Sequence, residues 1–403
     1  MKPLPLFQLL TLFLLPALAL APGGGCARIG NRNERVAVVE NKDSVPVSDL
    51  TDEARQWADS VADSMTLEEM AGQVLMPAIY ARATENDIEM VRKYAADVHV
   101  GGVILLKGTR ADASRIAAIL RDCSLREPFV AIDAEWGLGM RLSDMPVYPA
   151  NGEISREAGE EELYDYGLET ARECRGIGIN MVLGPVADVS GRGGLLGKRS
   201  FGSDPERVAR LTVAYSRGLE DGNVFSVAKH FPGHGSPGED SHRTLPVIDR
   251  DKATLDSIDL LPFRAYVNAG LSGIMAGHLE VPAFDTTGRP ASFSRELLTG
   301  ELRERMGFRG LILTDALNMG GAEGYDAVDA LLAGADIVLA PADTQLALSR
   351  LLAAVHSGRL SSSELGEKVR RILFFKYMLT LPEGTPPQTL GPDSIRHSLT
   401  RKL

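Results

Sequence analysis

The sequence predicts an α/β fold, a single (β/α)8 TIM barrel. From Thr51 onward, short apolar runs of strand length alternate with amphipathic stretches of helical length. The runs are apolar on both faces, as parallel strands covered by helices on both sides must be. Strict alternation favours a parallel sheet with right-handed crossovers, and eight repeats within about 300 residues fit a closed barrel better than an open sheet.

Each repeat combines one strand and one helix. The predicted strands lie at 73–79, 101–106, 129–133, 178–185, 225–230, 273–278, 310–315 and 335–341. The predicted helices lie at 86–97, 111–122, 157–175, 204–220, 254–269, 294–306, 325–333 and 344–357, and a last helix at 361–378 follows them. Asp204 and Pro205 are typical of a helix start.

The alternative fold is a doubly wound open sheet. No GxGxxG follows the first strand, so a dinucleotide site is not supported. We expect the catalytic barrel to occupy 51–381, with no C-terminal sandwich domain, and 382–403 to form a proline-rich polar tail.

Composition excludes several classes of protein. The 403 residues are 44% hydrophobic, which excludes global disorder. The net charge of −11 argues against nucleic acid as a partner, because nucleic acid recruits basic patches. Three cysteines are too few for a disulfide scaffold and form no zinc-like cluster.

The N-terminus predicts export. A short positive start, an apolar stretch and small residues before Cys26 are typical of a signal peptide at 1–26, favouring a lipoprotein over plain secretion. An uncleaved membrane anchor fits less well, because prolines interrupt a short apolar run. Residues 27–50 are interpreted as a polar linker. The expected location is the periplasm or cell envelope, with membrane attachment through lipidated Cys26.

Polar residues stand at the carboxyl ends of the predicted strands. They are Asp133, Asp188, Lys229, His230, His278 and Asp315. A single Asp after a strand is most often a helix cap. In this barrel, however, the strand carboxyl ends build the active site, so the set predicts a pocket for a polar, uncharged ligand.

The segment after the fifth strand carries the most chemistry. It reads Lys229-His-Phe-Pro-Gly-His-Gly, and Asp240-Ser-His242 follows after four residues. In extended backbone, Asp240 and His242 point to the same side. A carboxylate beside an imidazole suits a general acid that later acts as a base. A metal site is the rival interpretation and ranks lower, because Lys229 would repel the ion; we expect no metal and no cofactor.

These motifs resemble glycoside hydrolase family 3, in its single-barrel β-N-acetylglucosaminidase branch. KHFPGHG with the following DSH is the branch's signature, and supporting segments include AIDAEWGLGMRL (131–142), GKRSFGSDP (197–205) and the run 290–319. The resemblance covers about 55–380. One departure is Trp136, which stands where the family commonly has glycine. The tryptophan ring would either stack on a sugar or fill a gap near the pocket.

The resemblance implies roles for individual residues. Asp315 resembles the nucleophile, and His242 paired with Asp240 resembles the acid/base. Five positions match residues that bind the sugar: Asp133, Arg141, Arg199, Lys229 and His230. His234 and His278 match supporting histidines, while Asp188 is interpreted as structural.

The implied activity is that of a retaining exo-β-N-acetylhexosaminidase acting by double displacement. Its substrate would be an amino-sugar oligosaccharide, a peptidoglycan fragment (muropeptide) or a chitin oligomer. Phosphorolysis is a minor variant, because an imidazole does not repel phosphate as a carboxylate would. The alternatives are a β-glucosidase or β-xylosidase of the same family and a non-catalytic sugar-binding lipoprotein.

Overall fold

The computed structural model describes residues 47–191, 196–235 and 245–381, and side chains from Thr51. Within these ranges the strands are β1 (Leu75–Met76), β2 (Ala78–Tyr80), β3 (Gly102–Leu106), β4 (Phe129–Ile132), β5 (Met181–Val182), β6 (Phe225–Phe231), β7 (Gly273–Ala276), β8 (Leu311–Thr314) and β9 (Val338–Leu339).

All strand pairs are parallel. Strands β2 to β8 pair in chain order, each with the next, and β1 pairs with β9 in the register Leu75↔Val338 and Met76↔Leu339. The eight predicted strands are all present, and the prediction of an α/β fold on a parallel sheet is confirmed. The sheet is curled: β1 and β2 follow one another directly in the chain, yet β1 pairs with the last strand, β9, whereas β2 pairs with β3.

Pro77 separates β1 from β2. Proline has no backbone N–H to donate to a ladder, which is why the predicted single strand is interrupted there. Its carbonyl still accepts from the N–H of Ile104 at 3.0 Å, so the chain remains attached to β3.

Helices cover the sheet. They are α1 (Val47–Ser64), α2 (Leu67–Gln73), α3 (Glu85–Ala96), α4 (Arg110–Cys123), α5 (Asn151–Ile154), α6 (Glu160–Arg175), α7 (Pro205–Asp221), α8 (Lys252–Thr254), α9 (Leu261–Asn268), α10 (Ala327–Ala333), α11 (Thr344–His356) and α12 (Ser362–Met378). Two π-helices, Leu255–Asp259 and Glu296–Arg305, lie within predicted helices. Short 3-10 turns occur at Leu138–Met140, Ala291–Phe293 and Gly320–Ala322.

Local sequence explains the start of helix α7. Asp204 caps α7 as predicted, since its side chain accepts from the N–H groups of Glu206 (3.1 Å) and Arg207 (3.3 Å). Helix α1 begins at Val47, within the segment predicted as a linker. Among the described residues, no helix has the length and apolar character needed to cross a bilayer.

The first and last helices join the two ends of the described chain. Arg370 of α12 lies 3.2 Å from Asp59 and 2.5 Å from Asp63 of α1. The buried Nζ of Lys376 donates to Oε1 of Gln73 at 2.7 Å. Phe375 packs edge-on against Phe225 of β6, with ring centroids 5.4 Å apart, so α12 also forms part of the core.

Candidate active site

The predicted site residues that the structure describes lie at the carboxyl edge of the sheet. Asp133 follows β4, Lys229 and His230 stand near the end of β6, and Asp315 follows β8. Parallel strands bring their carboxyl ends to one edge, which explains how residues far apart in the sequence share it.

Lys229 joins two carboxylates. Its Nζ lies 2.8 Å from Oδ1 of Asp133 and 2.8 Å from Oε1 of Glu135. The side chains of Lys229 and Glu135 are only 4% and 3% exposed. A buried charge needs a partner of opposite sign, so these groups depend on one another.

Burial and charge act in opposite directions on these carboxyl groups. Burial opposes ionisation of Glu135, but the positive charges of Lys229 and Arg199 outweigh it and hold its pKa well below the usual value. For Asp133, burial is likewise outweighed, by Lys229 and Arg141, so its pKa is also lowered. Both carboxylates are therefore ionised at neutral pH.

Two arginines complete the network. Arg199 donates two hydrogen bonds to Glu135, from Nε to Oε2 at 2.9 Å and from Nη2 to Oε1 at 2.7 Å. Arg141 donates from Nη2 to Oδ2 of Asp133 at 2.6 Å. The bidentate pairing of Arg199 with Glu135 fixes the orientation of the Glu135 carboxylate, because the planar guanidinium matches the carboxylate geometry.

His230 connects this network to a buried aspartate. Its Nε2 lies 3.4 Å from Nη2 of Arg199, and its Nδ1 lies 2.7 Å from Oδ2 of Asp188. Fully buried Asp188 also accepts from the backbone N–H of His234 at 2.6 Å. These contacts suit the structural role inferred for Asp188, because it orients one ring and anchors the chain beyond it.

Asp315 is held by its neighbours along the sheet edge. Its backbone N–H donates to the carbonyl of Ala276 at 2.8 Å, continuing the β7–β8 ladder. Its Oδ1 accepts from the N–H of Ala316 at 2.8 Å. Nε2 of His278 lies 3.0 Å from the Ala316 carbonyl, so this histidine supports the turn that carries Asp315.

Asp240 and His242 lie outside the described residues, but the flanks of their segment are described. Before it, Gly233 has φ of 119° and packs against Asp259. After it, Arg250 forms a double ion pair with Asp259, with Nη1 at 2.9 and 2.7 Å from the two carboxylate oxygens. The N–H of Ile248 donates to the Glu280 carbonyl at 2.8 Å. Asp259 thus contacts both flanks.

Glu135 is a member of this network that was not among the predicted site residues. The available signal was its position, two residues after Asp133 and just beyond the same apolar run. The neighbouring Trp136 is half-buried, and its backbone N–H donates to Sδ of Met140 at 3.3 Å.

The network suits recognition of an uncharged polar ligand. Its ionised carboxylates and guanidinium groups offer fixed acceptors and donors at the edge of the sheet that also carries Asp315. Within the described ranges, no group of three His, Cys, Asp or Glu side chains is arranged to hold a metal ion.

Comparisons with known proteins show the family of this chain. Residues 66–375 match the profile of the Glycosyl hydrolase family 3 N terminal domain. A beta-hexosaminidase from Thioalkalivibrio sulfidiphilus is 38% identical over 267 residues, covering 62% of this chain and 76% of the relative. One from Chromobacterium violaceum is 37% identical, covering 60% and 71%.

A solved structure shares both fold and sequence. The family 3 β-N-acetylglucosaminidase from Paenibacillus sp. str. FPU-7 superimposes with a TM-score of 0.73 at 31% identity, covering 82% of this chain and 68% of that one. The profile match alone spans well over half of the residues. The predicted resemblance is confirmed, and the chain is a glycoside hydrolase that belongs to glycosyl hydrolase family 3.

Proposed function

We propose that this chain is a retaining exo-β-N-acetylhexosaminidase that removes terminal GlcNAc from peptidoglycan fragments or chitin oligosaccharides. The observation that carries the proposal is the buried network in which Lys229 joins Asp133 to Glu135. Relatives named beta-hexosaminidase, at 33–38% identity, support the amino-sugar specificity.

The scaffold of this activity is a closed (β/α)8 barrel. Two observations support closure: β1 pairs with β9, and an isolated parallel bridge joins Leu313 to Ile337 between β8 and β9. A closed sheet holds the carboxyl ends of all its strands in one ring, so a sugar in the centre meets side chains from several strands at once.

The first chemical step uses Asp315 as nucleophile. One carboxylate oxygen attacks the anomeric carbon while the glycosidic C–O bond breaks, and the imidazolium of His242 gives its proton to the departing oxygen. The hydrogen bond from the Ala316 N–H to Oδ1 fixes the orientation of the carboxylate and leaves Oδ2 for the attack.

The second step releases the sugar. Neutral His242 takes a proton from water, the water oxygen bonds to the anomeric carbon, and the bond to Asp315 breaks. Asp240 stabilises the imidazolium and fixes its tautomer. Two displacements at one carbon give overall retention of configuration.

The network residues bind the sugar in this scheme. Asp133, Arg141, Arg199, Lys229 and His230 present hydrogen-bonding groups to the ring hydroxyls and the N-acetyl substituent. Because they are already paired with one another, little side-chain entropy is lost on binding.

Two measurements on the full chain test the function. The first is hydrolysis of aryl β-GlcNAc, β-GalNAc, β-glucoside and β-xyloside, each with and without phosphate. We expect β-GlcNAc to be cleaved best and phosphate to leave the product unchanged. Preference for β-glucoside or β-xyloside would reassign the substrate, a sugar 1-phosphate product would indicate phosphorolysis, and no turnover would favour a binding protein.

The second measurement is covalent labelling with a 2-fluoro sugar inactivator. Because the fluorine slows the second displacement, the glycosyl-enzyme accumulates and Asp315 should carry the label in a peptide digest. A label on another residue would refute the assignment of Asp315.

We also propose export and anchoring through a lipid on Cys26. The basis is the sequence pattern of residues 1–26. Mass analysis of the mature N-terminus tests it: a diacylglyceryl-modified Cys26 is expected, whereas an unmodified start at another residue indicates ordinary secretion.

A further inference from the structure

A polar cavity lies at the opposite end of the sheet from Asp315. It has a volume of about 350 Å³ and lies between the π-helix Glu296–Arg305, α10 and α12. Arg303, Lys368 and Arg371 form its floor. Asp336, which forms ion pairs with Arg303 and Arg371, precedes β9 and accepts from the N–H of Ile312 near the start of β8, whereas Asp315 follows the end of β8.

The floor holds three cations around one buried carboxylate. Arg303 and Arg371 each form an ion pair with Asp336, and the side chain of Asp336 is 0% exposed. Lys368, also buried, donates from Nζ to the Ala335 carbonyl at 2.8 Å. Asp336 is the only carboxylate within ion-pair distance of these cations in the described part of the chain, so the floor has an excess of positive charge.

The excess charge affects the cations themselves. Burial lowers the pKa of Lys368 to about 8; the attraction of Asp336 and, more weakly, of Glu364 counteracts this, while Arg371 and Arg303 lower it further. Burial likewise lowers the pKa of Arg303 to about 9, against the attraction of Asp336 and with repulsion from Arg371 and Arg309. A second anion on the floor would relieve this repulsion.

The rim is charged but exposed. Arg295 and Arg309 add positive charge, and the carboxylates of Glu304, Glu364 and Glu367 lie among them. Water and salt screen these exposed charges more strongly than the floor, where Lys368 is buried and the side chains of Arg303 and Arg371 are 11% and 31% exposed. The positive charge of the floor therefore favours an anionic ligand.

We propose that this cavity binds a small oxyanion of the phosphate class, either free phosphate or a phosphomonoester. Arginine and lysine donors converging on one recess are the groups that proteins use for phosphate oxygens. The cavity exceeds the volume of one phosphate, which leaves room for the organic part of an ester.

The test is a binding titration of the full chain at pH 7 and constant ionic strength. Inorganic phosphate and glycerol 3-phosphate are the probes, chloride is the ionic control, and both calorimetry and the melting temperature are followed. We expect saturable binding of at least one probe. Tighter binding of glycerol 3-phosphate identifies an ester site and equal binding a phosphate site, whereas no saturation by either refutes the proposal.

Matched variants locate the site. Lys368→Gln should weaken binding at least tenfold, while Lys93→Gln, which removes an exposed lysine from α3, should leave it unchanged. Equal affinities in these two variants would overturn the proposal. If Lys368→Gln does not fold, Arg309→Gln on the exposed rim replaces it. It should weaken binding at least twofold against Arg350→Gln, an exposed control on α11, and no difference between these two would likewise overturn the proposal.

Discussion

Nζ of Lys229 lies 2.8 Å from Oδ1 of Asp133, although 96 positions separate the two residues. Lys229 belongs to β6 and Asp133 follows β4, so the ion pair spans the intervening strand β5. The same ammonium contacts Glu135. Any change at Lys229 therefore affects two carboxylates at once.

Lys229→Met should destabilise the fold as well as abolish activity. It leaves Asp133 and Glu135 without their shared counter-ion, and removing one partner of a buried ion pair costs about 3 kcal/mol or more. Urea unfolding measures the loss. Lys93→Met, at an exposed position, should change the unfolding free energy by less than about 0.5 kcal/mol. Equal stabilities of the two variants would show that Asp133 and Glu135 do not depend on Lys229 as their counter-ion.

His242→Ala should slow substrates according to their leaving group. A general acid contributes roughly 10²- to 10⁴-fold, and an activated aryl leaving group needs little protonation. We expect at least a hundredfold loss of kcat/KM on GlcNAc disaccharides and less than tenfold on a nitrophenyl substrate. His356→Ala, on the exposed end of α11, is the control. Equal losses on both substrates would exclude the acid role.

Glu220→Gln should remove one component of the dependence of stability on pH. Burial raises the pKa of Glu220 to about 7, against hydrogen bonds from Ser226 and Ser272. The folded chain then holds a proton that the unfolded chain loses near pH 4.5, so this group's contribution to stability falls as pH rises from about 4.5 to about 7.

Urea unfolding at pH 5 and pH 8 tests this sign. The wild type should lose on the order of 3 kcal/mol more than Glu220→Gln between the two pH values. Glu323→Gln, at an exposed position, should follow the wild type. The same pH dependence in all three proteins would show that Glu220 ionises normally.

Gly233→Ala should be more damaging than its backbone angle alone explains. A Cβ at Gly233 would lie 2.7 Å from Cβ of Asp259, in addition to the cost of φ at 119°. Gly358→Ala is the control, because Gly358 has φ of 75° and nothing within 4 Å of an added Cβ. We expect about 1 kcal/mol for Gly358→Ala, and at least twice that for Gly233→Ala. Equal costs would show that the contact with Asp259 relaxes freely.

The strand and helix pattern was predictable because it is local. Each apolar run and amphipathic stretch carries its own period, and all eight predicted strands formed. Departures have specific causes: Pro77 interrupts the first strand, and the predicted helix 254–269 contains the π-helix Leu255–Asp259. Helix periodicity does not distinguish a π-turn from an α-turn in so short a segment.

The edge that carries the site was predictable, but its pairing was not. Asp133, Lys229 and Asp315 could be placed at this edge because each stands at or just after the end of an apolar strand. The contacts within the site depend on strand order and on how far side chains reach. Examples are the pair Arg199–Glu135 and the contacts of Asp188 with His230 and His234. No local pattern encodes contacts between residues so far apart in the sequence.

The contacts between α12 and the N-terminal helices have a consequence for biosynthesis. Gln73 meets Lys376, and Asp63 meets Arg370, only after about three hundred further residues have been made. A nascent chain still on the ribosome therefore exposes the apolar faces of its first helices for most of translation. Chaperones have a long interval in which to bind that surface, and a premature stop codon shortly before Arg370 would release a chain that never covers it.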